Sequence, residues 1–336
     1  MINLLKELCT LNGTSGNEGA VREYIISNIK DFCEYKVDAL GNIIAFKKGK
    51  KTPNKKVMVD AHIDEVGLII TNITADGFLK FKCVGGIDTA VLLARNIIIN
   101  NSVIGVIGIK PVHLLDEAQR KKLPSADSLY IDIGAKNKES AERLVSVGDT
   151  AVICSNFSVN KDMVLSKALD DRIGCATLIK LVKEYDDYDF YATFTVQEEV
   201  GLRGAKVATY NVAPDSAIVL EGTTAADIDG VSSDKKVCTL GDGVCVSFMD
   251  LSTLYDRKYF EAAKNSGLKM QIKSAVSGGN NAGAVHLSGK GVRTIALSVG
   301  CRYIHSASSV ASIGDIKSQY DLAKYMLNGI LSGEIE

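Results

Sequence analysis

Seven ionisable residues fall at the ends of short apolar runs or directly before a helical segment, and their side chains could do chemistry. The apolar runs span residues 57–61, 190–196, 216–220 and 292–299. The ionisable set consists of His62, Asp64, Asp170, Glu198, Glu199, Glu221 and His305. Ligand sites in open α/β sheets form beyond the carboxyl ends of the strands. We therefore expect these side chains to converge on one crevice.

The residue types in this set favour a metal site. Imidazole and carboxylate groups bind Zn²⁺ and similar divalent ions. One ion needs about three protein ligands and an open position, and two neighbouring ions can share a carboxylate. Five ligands with one bridge would meet that count, and the set that does so is His62, Asp170, Glu199, Glu221 and His305. We predict two divalent ions, with zinc expected and cobalt or manganese open, since the same ligands accept them.

Two members of the set are left over and suggest supporting roles. Asp64 lies two residues after His62, near enough to accept the other ring N–H and fix the tautomer. Glu198 would then act as general base for a metal-activated water. Each piece has a structural alternative, because paired glutamates are usually solvated and an aspartate before a helix is often a cap. Because all seven residues lie at the ends of predicted strands or helices, a shared functional site is favoured over these separate structural roles.

Motifs of several other enzyme classes are missing from the sequence. It contains no H-E-x-x-H, no G-x-x-x-x-G-K-[ST] and no G-x-S-x-G, which argues against a zincin, a P-loop protein and a serine hydrolase. The glycine-rich stretch 277–281 is not a dinucleotide fingerprint and is expected to be a turn before a helix. The remaining histidines, His113 and His286, lack a comparable context, and we expect structural roles for both.

The elements that must position the set alternate between strands and helices. The runs 57–61, 190–196 and 216–220 have strand length, and the segments 171–185 and 316–331 have helical spacing. Such alternation predicts an α/β fold with helices on both faces of the sheet. Between them, short β-rich runs separated by Gly, Asn and Asp turns predict a small inserted β-barrel or sandwich.

The expected division has a catalytic α/β domain formed by residues 1–67 and 165–336, and an inserted β domain at 68–164. A chain of 336 residues is consistent with about two domains. The formal net charge of −1 offers no overall attraction to nucleic acid or to an anionic membrane. No apolar run reaches the roughly 18 residues of a membrane span. The eight dispersed cysteines and the lack of a signal-peptide pattern predict reduced thiols in a cytoplasmic protein.

Several segments, taken together and in order, resemble the dinuclear aminopeptidases of metallopeptidase family forty-two. This family includes the tetrahedral, TET-like aminopeptidases and the glutamyl and deblocking aminopeptidases, and some members carry an endoglucanase label. The resemblance runs nearly end to end. The segments that carry it are SGNE at 15–18, DALGN at 38–42, AHIDEVG at 61–67, GIKPVHLL at 108–115, KALDDR at 167–172, QEEVG at 197–201 and RYIHS at 302–306.

The resemblance implies an α/β domain of the phosphorylase/hydrolase-like zinc peptidase kind, with an inserted β domain used in oligomerisation. It also implies peptide substrates and homo-oligomers that range from dimers to hollow dodecamers. One metal would be held by His62 and Glu221 and the other by Glu199 and His305, with Asp170 as the bridge. Motif position, rather than composition, selects this aspartate over its neighbour. The supporting residues would be Asp64, orienting the histidine, and Glu198, the general base.

Two positions depart from the family pattern. Many members have Asp where this chain has Glu221 and where it has Asn281. The longer side chain of Glu221 could change the metal preference. If the usual Asp at position 281 helps to bind the amino group of the substrate, Asn281 would bind it less strongly. These departures bear on substrate choice more than on reaction type.

The expected activity is hydrolytic release of N-terminal residues from peptides. Two other classes remain open at this point. A glycoside hydrolase would use paired carboxylates, but it would leave His62 and His305 without a role. A metal-binding assembly protein that has no catalytic activity would leave Glu198 without a role.

Overall fold

The fold is known from a computed structural model that describes residues 1–276 and 278–336. Its strands are β1 (Glu34–Val37), β2 (Ile43–Lys47), β3 (Val57–His62), β4 (Gly67–Ile73), β5 (Leu79–Val84), β6 (Asn96–Ile99), β7 (Val103–Gly108), β8 (Tyr130–Asp132), β9 (Thr150–Ile153), β10 (Ser158–Asn160), β11 (Met163–Ser166), β12 (Phe190–Thr195), β13 (Ser216–Thr224), β14 (Val244–Val246), β15 (Met270–Ile272), β16 (Arg293–Arg302) and β17 (Ser309–Ser312). Its helices are α1 (Ile2–Thr10), α2 (Gly19–Ile29), α3 (Glu117–Arg120), α4 (Lys138–Glu142), α5 (Leu169–Glu184), α6 (Arg203–Val212), α7 (Arg257–Lys264), α8 (Ala282–Val285) and α9 (Ile313–Ser332).

A mixed sheet forms the centre of the fold. Its strands run in the order β1-β2-β12-β3-β13-β16-β17-β11-β10, and β14 and β15 attach beside β16. The four neighbours β12, β3, β13 and β16 are mutually parallel. Their carboxyl ends therefore meet at one edge of the sheet, which is where a ligand site is expected.

Helices cover both faces of this sheet, as the sequence predicts. Successive residues of a strand point to opposite faces, and in β3 the side chains of Val57 and Val59 enter the larger core with α1, α2, α5 and α9. Met58 enters a second core with residues of α6 and α8. Because both faces are dry, the central strands read as continuous apolar runs rather than as alternating ones.

The inserted β structure is a closed barrel with the strand order β4-β5-β8-β7-β6-β9. It has its own apolar interior, in which Leu68, Phe81 and Ile131 are buried. The barrel strands begin at Gly67 and end at Ile153, whereas β10 and β11 pair into the large sheet through β17. Strand pairing thus returns the chain to the sheet before residue 158, and the domain limits at 68 and 164 stay a prediction.

Four further observations bear on the sequence predictions. The strand that carries Glu221 continues to Thr224, so this glutamate lies inside β13 rather than after its end. In the glycine-rich stretch 277–281, Ser277 lies outside the described residues, and Asn281 directly precedes α8. All eight cysteines are free thiols. Among the described helices, none has the length and apolarity needed to cross a membrane.

Candidate metal centre

The predicted site residues come together at the carboxyl edge of the four parallel strands. His62 is the last residue of β3, Glu198 and Glu199 follow β12, and Glu221 lies in β13. Asp170 stands at the start of α5, and His305 and Asp64 lie in the loops that follow β16 and β3. Five separate stretches of chain thus contribute to one crevice.

Asp170 lies between the two histidines. Nε2 of His62 is 3.5 Å from Oδ1 of Asp170, and Nε2 of His305 is 3.6 Å from Oδ2 of the same carboxylate. Each histidine also faces a glutamate, with Nε2 of His62 3.6 Å from Oε2 of Glu221 and Nε2 of His305 3.1 Å from Oε1 of Glu199. The five side chains therefore form two groups of three that share one carboxylate.

Asp171 is also near this cluster, but its geometry sets it apart from Asp170. One of its oxygens lies close to donor atoms of His62 and Glu221, so distance alone would admit it as a ligand. Both oxygens already accept backbone N–H groups, from His62 at 3.3 Å and from Gly174 at 3.0 Å. Asp170 also accepts a backbone N–H, from Gly222 at 3.1 Å on Oδ1, but its two oxygens face the two imidazoles. The peptide bond that joins the two aspartates is cis.

The site carries an excess of buried acidic groups. Burial raises the pKa of Glu221 well above its usual range, raises the pKa of Glu199, and raises the pKa of Glu198 to about 8. The pKa of His305 rises to about 11, because the carboxylates of Asp170 and Glu199 outweigh the burial that would lower it. Buried carboxylates need positive partners. With imidazole nitrogens beside them, this donor set fits divalent cations.

Asp64 is a fully buried carboxylate that ties the loop after β3 to the loop after β12. It accepts hydrogen bonds from Oγ of Ser15 at 2.7 Å and from the backbone N–H groups of Glu198 at 3.0 Å and Glu199 at 3.2 Å. Nδ1 of His62 lies 3.4 Å from its Oδ1, but the two atoms are not aligned as a hydrogen bond. Asp64 thus positions the two glutamates as well as facing the imidazole.

The barrel also reaches the site. Nδ1 of His305 lies 2.8 Å from the carbonyl oxygen of Gly86, in the loop after β5. This contact orients the ring so that Nε2 faces Asp170 and Glu199. The preceding residue, Gly85, has φ +84°, and a Cβ there would lie 2.8 Å from the side chain of Val66. The loop therefore needs glycine to approach His305 this closely.

A cavity of about 400 Å³ opens beside the two groups of ligands. Its wall includes Asp170, Glu198, Glu199, Glu221, Thr223, Thr224, Val237, Lys273, Asn280, Ser298 and His305. Asn281 does not line it. This residue is fully buried and its side-chain amide bonds to Asp60, so the structure does not support a direct contact between Asn281 and the amino group of a substrate.

Sequence reasoning assigned no role to a second charged cluster beside the site. Nζ of Lys167 lies 2.6 and 2.7 Å from the two carboxylate oxygens of Glu65. Arg172 is fully buried and donates to Glu65 at 3.3 Å and to the carbonyl oxygen of Leu8 at 2.6 Å. The available signal was the presence of these charges in the segments 61–67 and 167–172, which also carry predicted site residues. The cluster fixes both ligand-bearing segments to α1.

Imidazoles and carboxylates at the carboxyl edge of parallel strands, beside a cavity, fit the active site of a metal-dependent hydrolase. The sequence model of the M42 glutamyl aminopeptidase family matches residues 41–322. A putative aminopeptidase of Acetivibrio thermocellus is 39% identical over 329 residues, which cover 96% of this chain and 97% of that protein. The lysyl aminopeptidase of Pyrococcus furiosus is 33% identical over 340 residues, covering 96% of each.

A solved structure agrees with these sequence matches. The TET1 peptidase of Pyrococcus horikoshii, described as assembling into a tetrahedron or a large octahedral shell, superposes with a TM-score of 0.84 and 36% identity over 97% of this chain and 98% of that one. The chain therefore belongs to the M42 aminopeptidase family. The family resemblance, the fold class and the function of metal-dependent aminopeptidase inferred from the sequence are confirmed.

Proposed function

We propose that this aminopeptidase works with two divalent ions per subunit, held by the two groups of ligands that share Asp170. The observation that carries the proposal is the placement of that carboxylate, with one oxygen facing His62 and the other facing His305. In this assignment Glu221 completes one group and Glu199 the other. The ions would be zinc, and the same donors would accept cobalt or manganese.

The ions, when bound, make a water molecule more acidic and polarise the scissile carbonyl. The remaining chemistry falls to Glu198. Its carboxylate lies on the cavity wall, and none of the described residues donates a hydrogen bond to it. Burial raises its pKa above the ordinary value of a glutamic acid, and a carboxylate of raised pKa is a stronger base. Glu198 would take the proton of the attacking water and return it to the leaving amine.

The supporting residues would hold this arrangement in place. Asp64 would fix the backbone of Glu198 and Glu199 through their N–H groups. Gly86, from the barrel, would orient His305. Rates depend on such positioning, because ligand groups must stay within a fraction of an ångström of the productive geometry.

We also propose a homo-oligomer, from dimer to dodecamer, in which the inserted domain at 68–164 contributes to assembly. The assembly of the TET1 peptidase into a tetrahedron or an octahedral shell supports it, as do exposed apolar side chains on that insertion, among them Val112, Leu114 and Leu123. A cytoplasmic location would suit the eight free thiols. Light scattering during size-exclusion chromatography measures the assembly directly.

The two other classes considered from the sequence are less well supported. Paired carboxylates for glycoside hydrolysis would leave His62 and His305 without a function, although both face Asp170 in the site. An inactive assembly protein would have no need for Glu198 beside the cavity. Cleavage of a β-glucan that is insensitive to chelators would favour the first of these classes.

The test begins with metal-stripped protein, to which zinc, cobalt or manganese is returned singly, and with a panel of aminoacyl-p-nitroanilides. Activity should disappear on stripping and return with metal, and bound metal should approach two ions per chain. Glu198→Gln should keep the metal and lose at least about 10²-fold in kcat, as expected for removal of a general base. Full turnover by a metal-loaded Glu198→Gln variant would exclude the role of Glu198, and one ion per chain would exclude the dinuclear site.

A further inference from the structure

A buried polar pair, Asp60 and Asn281, lies directly behind the proposed metal ligands. Asp60 is fully buried on β3. It precedes His62 by two residues, so both side chains point to the same face of the strand. Nδ2 of Asn281 donates to Oδ2 of Asp60 at 2.8 Å and to Oγ1 of Thr195 at 2.9 Å. The side chain of Asn281 therefore joins the start of α8 to two neighbouring strands.

The pair reaches a proposed ligand through the backbone of Asn281. Its N–H donates to Oε1 of Glu221 at 3.2 Å. The other oxygen of that carboxylate, Oε2, is the one that faces Nε2 of His62. One oxygen of Glu221 is thus held by the protein, and the second is directed into the site. If the start of α8 shifted, the orientation of Glu221 would change with it.

The hydrogen bonds of the pair place an acceptor at position 60 and a donor at position 281. Asp60 already accepts from Oγ1 of Thr193 at 2.6 Å, and an ionised carboxylate has no hydrogen to donate. Its partner must therefore be a donor, and the NH₂ group of Asn281 meets that need. Oδ1 of Asn281 is buried and has no partner among the described residues, so the side chain is held by its NH₂ group alone.

We propose that Asp60 and Asn281 are a matched positioning pair that holds Glu221 in its metal-binding orientation. In this pair the amide at position 281 supplies the donor that the carboxylate at position 60 accepts. The inference rests on the proposed function, since it takes Glu221 as a metal ligand. It assigns no contact with substrate to either residue. It also gives the asparagine at position 281, the departure from the family pattern, a structural reason within this chain.

The decisive experiment compares the single variant Asn281→Asp with the exchanged double variant Asp60→Asn/Asn281→Asp. The single variant places two carboxylates against each other in a dry site, and it should bind metal at least about tenfold more weakly, the usual cost of removing an outer hydrogen bond to a ligand. The double variant restores a donor facing an acceptor and should recover to within about threefold of the wild type. The measurements are the dissociation constant of Co²⁺ alone, by competition with a chelating dye, and the visible absorption of the bound ion.

Asn42→Asp is the matched control, because Asn42 is also fully buried. Its NH₂ group likewise donates to a carboxylate, that of Asp38, at 2.8 Å, yet it has no contact with Glu221. This control should lower the melting temperature and leave the affinity for Co²⁺ unchanged. Equal losses of affinity in Asn42→Asp and Asn281→Asp would overturn the inference, because the effect would then be general destabilisation.

The other outcomes separate this inference from the proposed function. If the wild type and Asn281→Asp bind cobalt equally well, the positioning role of the pair is overturned and the proposed function is not. Wild-type protein that binds no cobalt would overturn the proposed function and the pairing with it. If Asn281→Asp does not fold, a folded double variant with near wild-type affinity supports the pair, and a double variant that is also unfolded or weak overturns it.

Discussion

Replacing Asp64 by asparagine keeps the shape of the side chain and removes its charge. In the wild type, Oδ1 accepts the N–H of Glu198, and Oδ2 accepts the N–H of Glu199 and the hydroxyl of Ser15. An amide has only one oxygen. Whichever way it is turned, its NH₂ group must face one of the two backbone N–H groups, which then has no acceptor.

The size of the effect follows from these contacts. A buried N–H that loses its acceptor costs about 1–3 kcal/mol, and Asp64 is fully buried. The affected N–H belongs to a proposed ligand or to the proposed base, so metal affinity or kcat should also fall by about 10- to 100-fold. We expect Asp64→Asn to show both losses, in unfolding by urea without metal and in turnover with metal.

The acid stability of the protein provides a second readout. Burial alone would raise the pKa of Asp64, but its contacts with His62 and Ser15 and the N–H of Glu198 lower it below the ordinary value of 3.8. A depressed folded-state pKa gives stability that is complete above the unfolded-state pKa and is lost as the pH falls through the folded-state value. Asp64→Asn should therefore lose stability at neutral pH and show a shallower decline below about pH 4.

Ser15→Ala is the control for this prediction. It removes one hydroxyl donor and keeps both backbone hydrogen bonds, so its cost should be only about 0.5–1.5 kcal/mol, with metal affinity near that of the wild type. The reasoning is refuted if Asp64→Asn keeps the wild-type free energy of unfolding and binds metal as tightly as the wild type does.

The remaining predictions concern close packing, a buried ion pair and the ions themselves. Gly222→Ala would place a Cβ 2.7 Å from Oδ1 of Asp170, so metal affinity should fall at least about tenfold in a chelator competition assay. Lys167→Met leaves Glu65 without its closest cation, and the free energy of unfolding should fall by about 3–5 kcal/mol in urea. Removal of the ions by a chelator should lower the melting temperature, because ions that bind only the folded state stabilise it; calorimetry with and without zinc measures this shift.

Each of the two substitutions has a matched control in the chain. Gly314→Ala adds a methyl group whose nearest neighbour, Oγ of Ser312, is at 3.4 Å, and metal affinity should not change. Lys121→Met removes a partner from an exposed ion pair and should change the free energy of unfolding by less than about 1 kcal/mol. Equal effects in a control and its counterpart would contradict the corresponding prediction, as would a melting temperature that does not respond to the chelator.

The sequence predicted the convergence of the site because that prediction needed only local information. An apolar run followed by a polar residue marks the end of a strand, and parallel strands bring their carboxyl ends together. His62 and the two glutamates after β12 follow this rule. Glu221 meets it only in part, since β13 continues past it to Thr224.

The rest of the site depends on contacts between residues far apart in the chain. Composition could not separate Asp170 from Asp171, because the difference is that Asp170 places one oxygen toward each of two distant histidines. Nor could it show that Asn281 reaches Asp60, from which it is separated by 221 residues. Such pairs have no periodicity that would reveal them in a single sequence.

Through the contact between His305 and the carbonyl of Gly86, the barrel contributes to the free energy of metal binding. His305 belongs to the catalytic domain, but its ring is oriented by the barrel. Packing of the barrel against the sheet and binding of the ion are therefore coupled, and coupling free energies are reciprocal. If packing of the barrel against the sheet raises the affinity for the ion by some factor, binding of the ion stabilises that packing by the same factor. Any event that shifts the barrel, such as contact with a neighbouring subunit, would therefore change the orientation of His305 and with it the affinity for the ion.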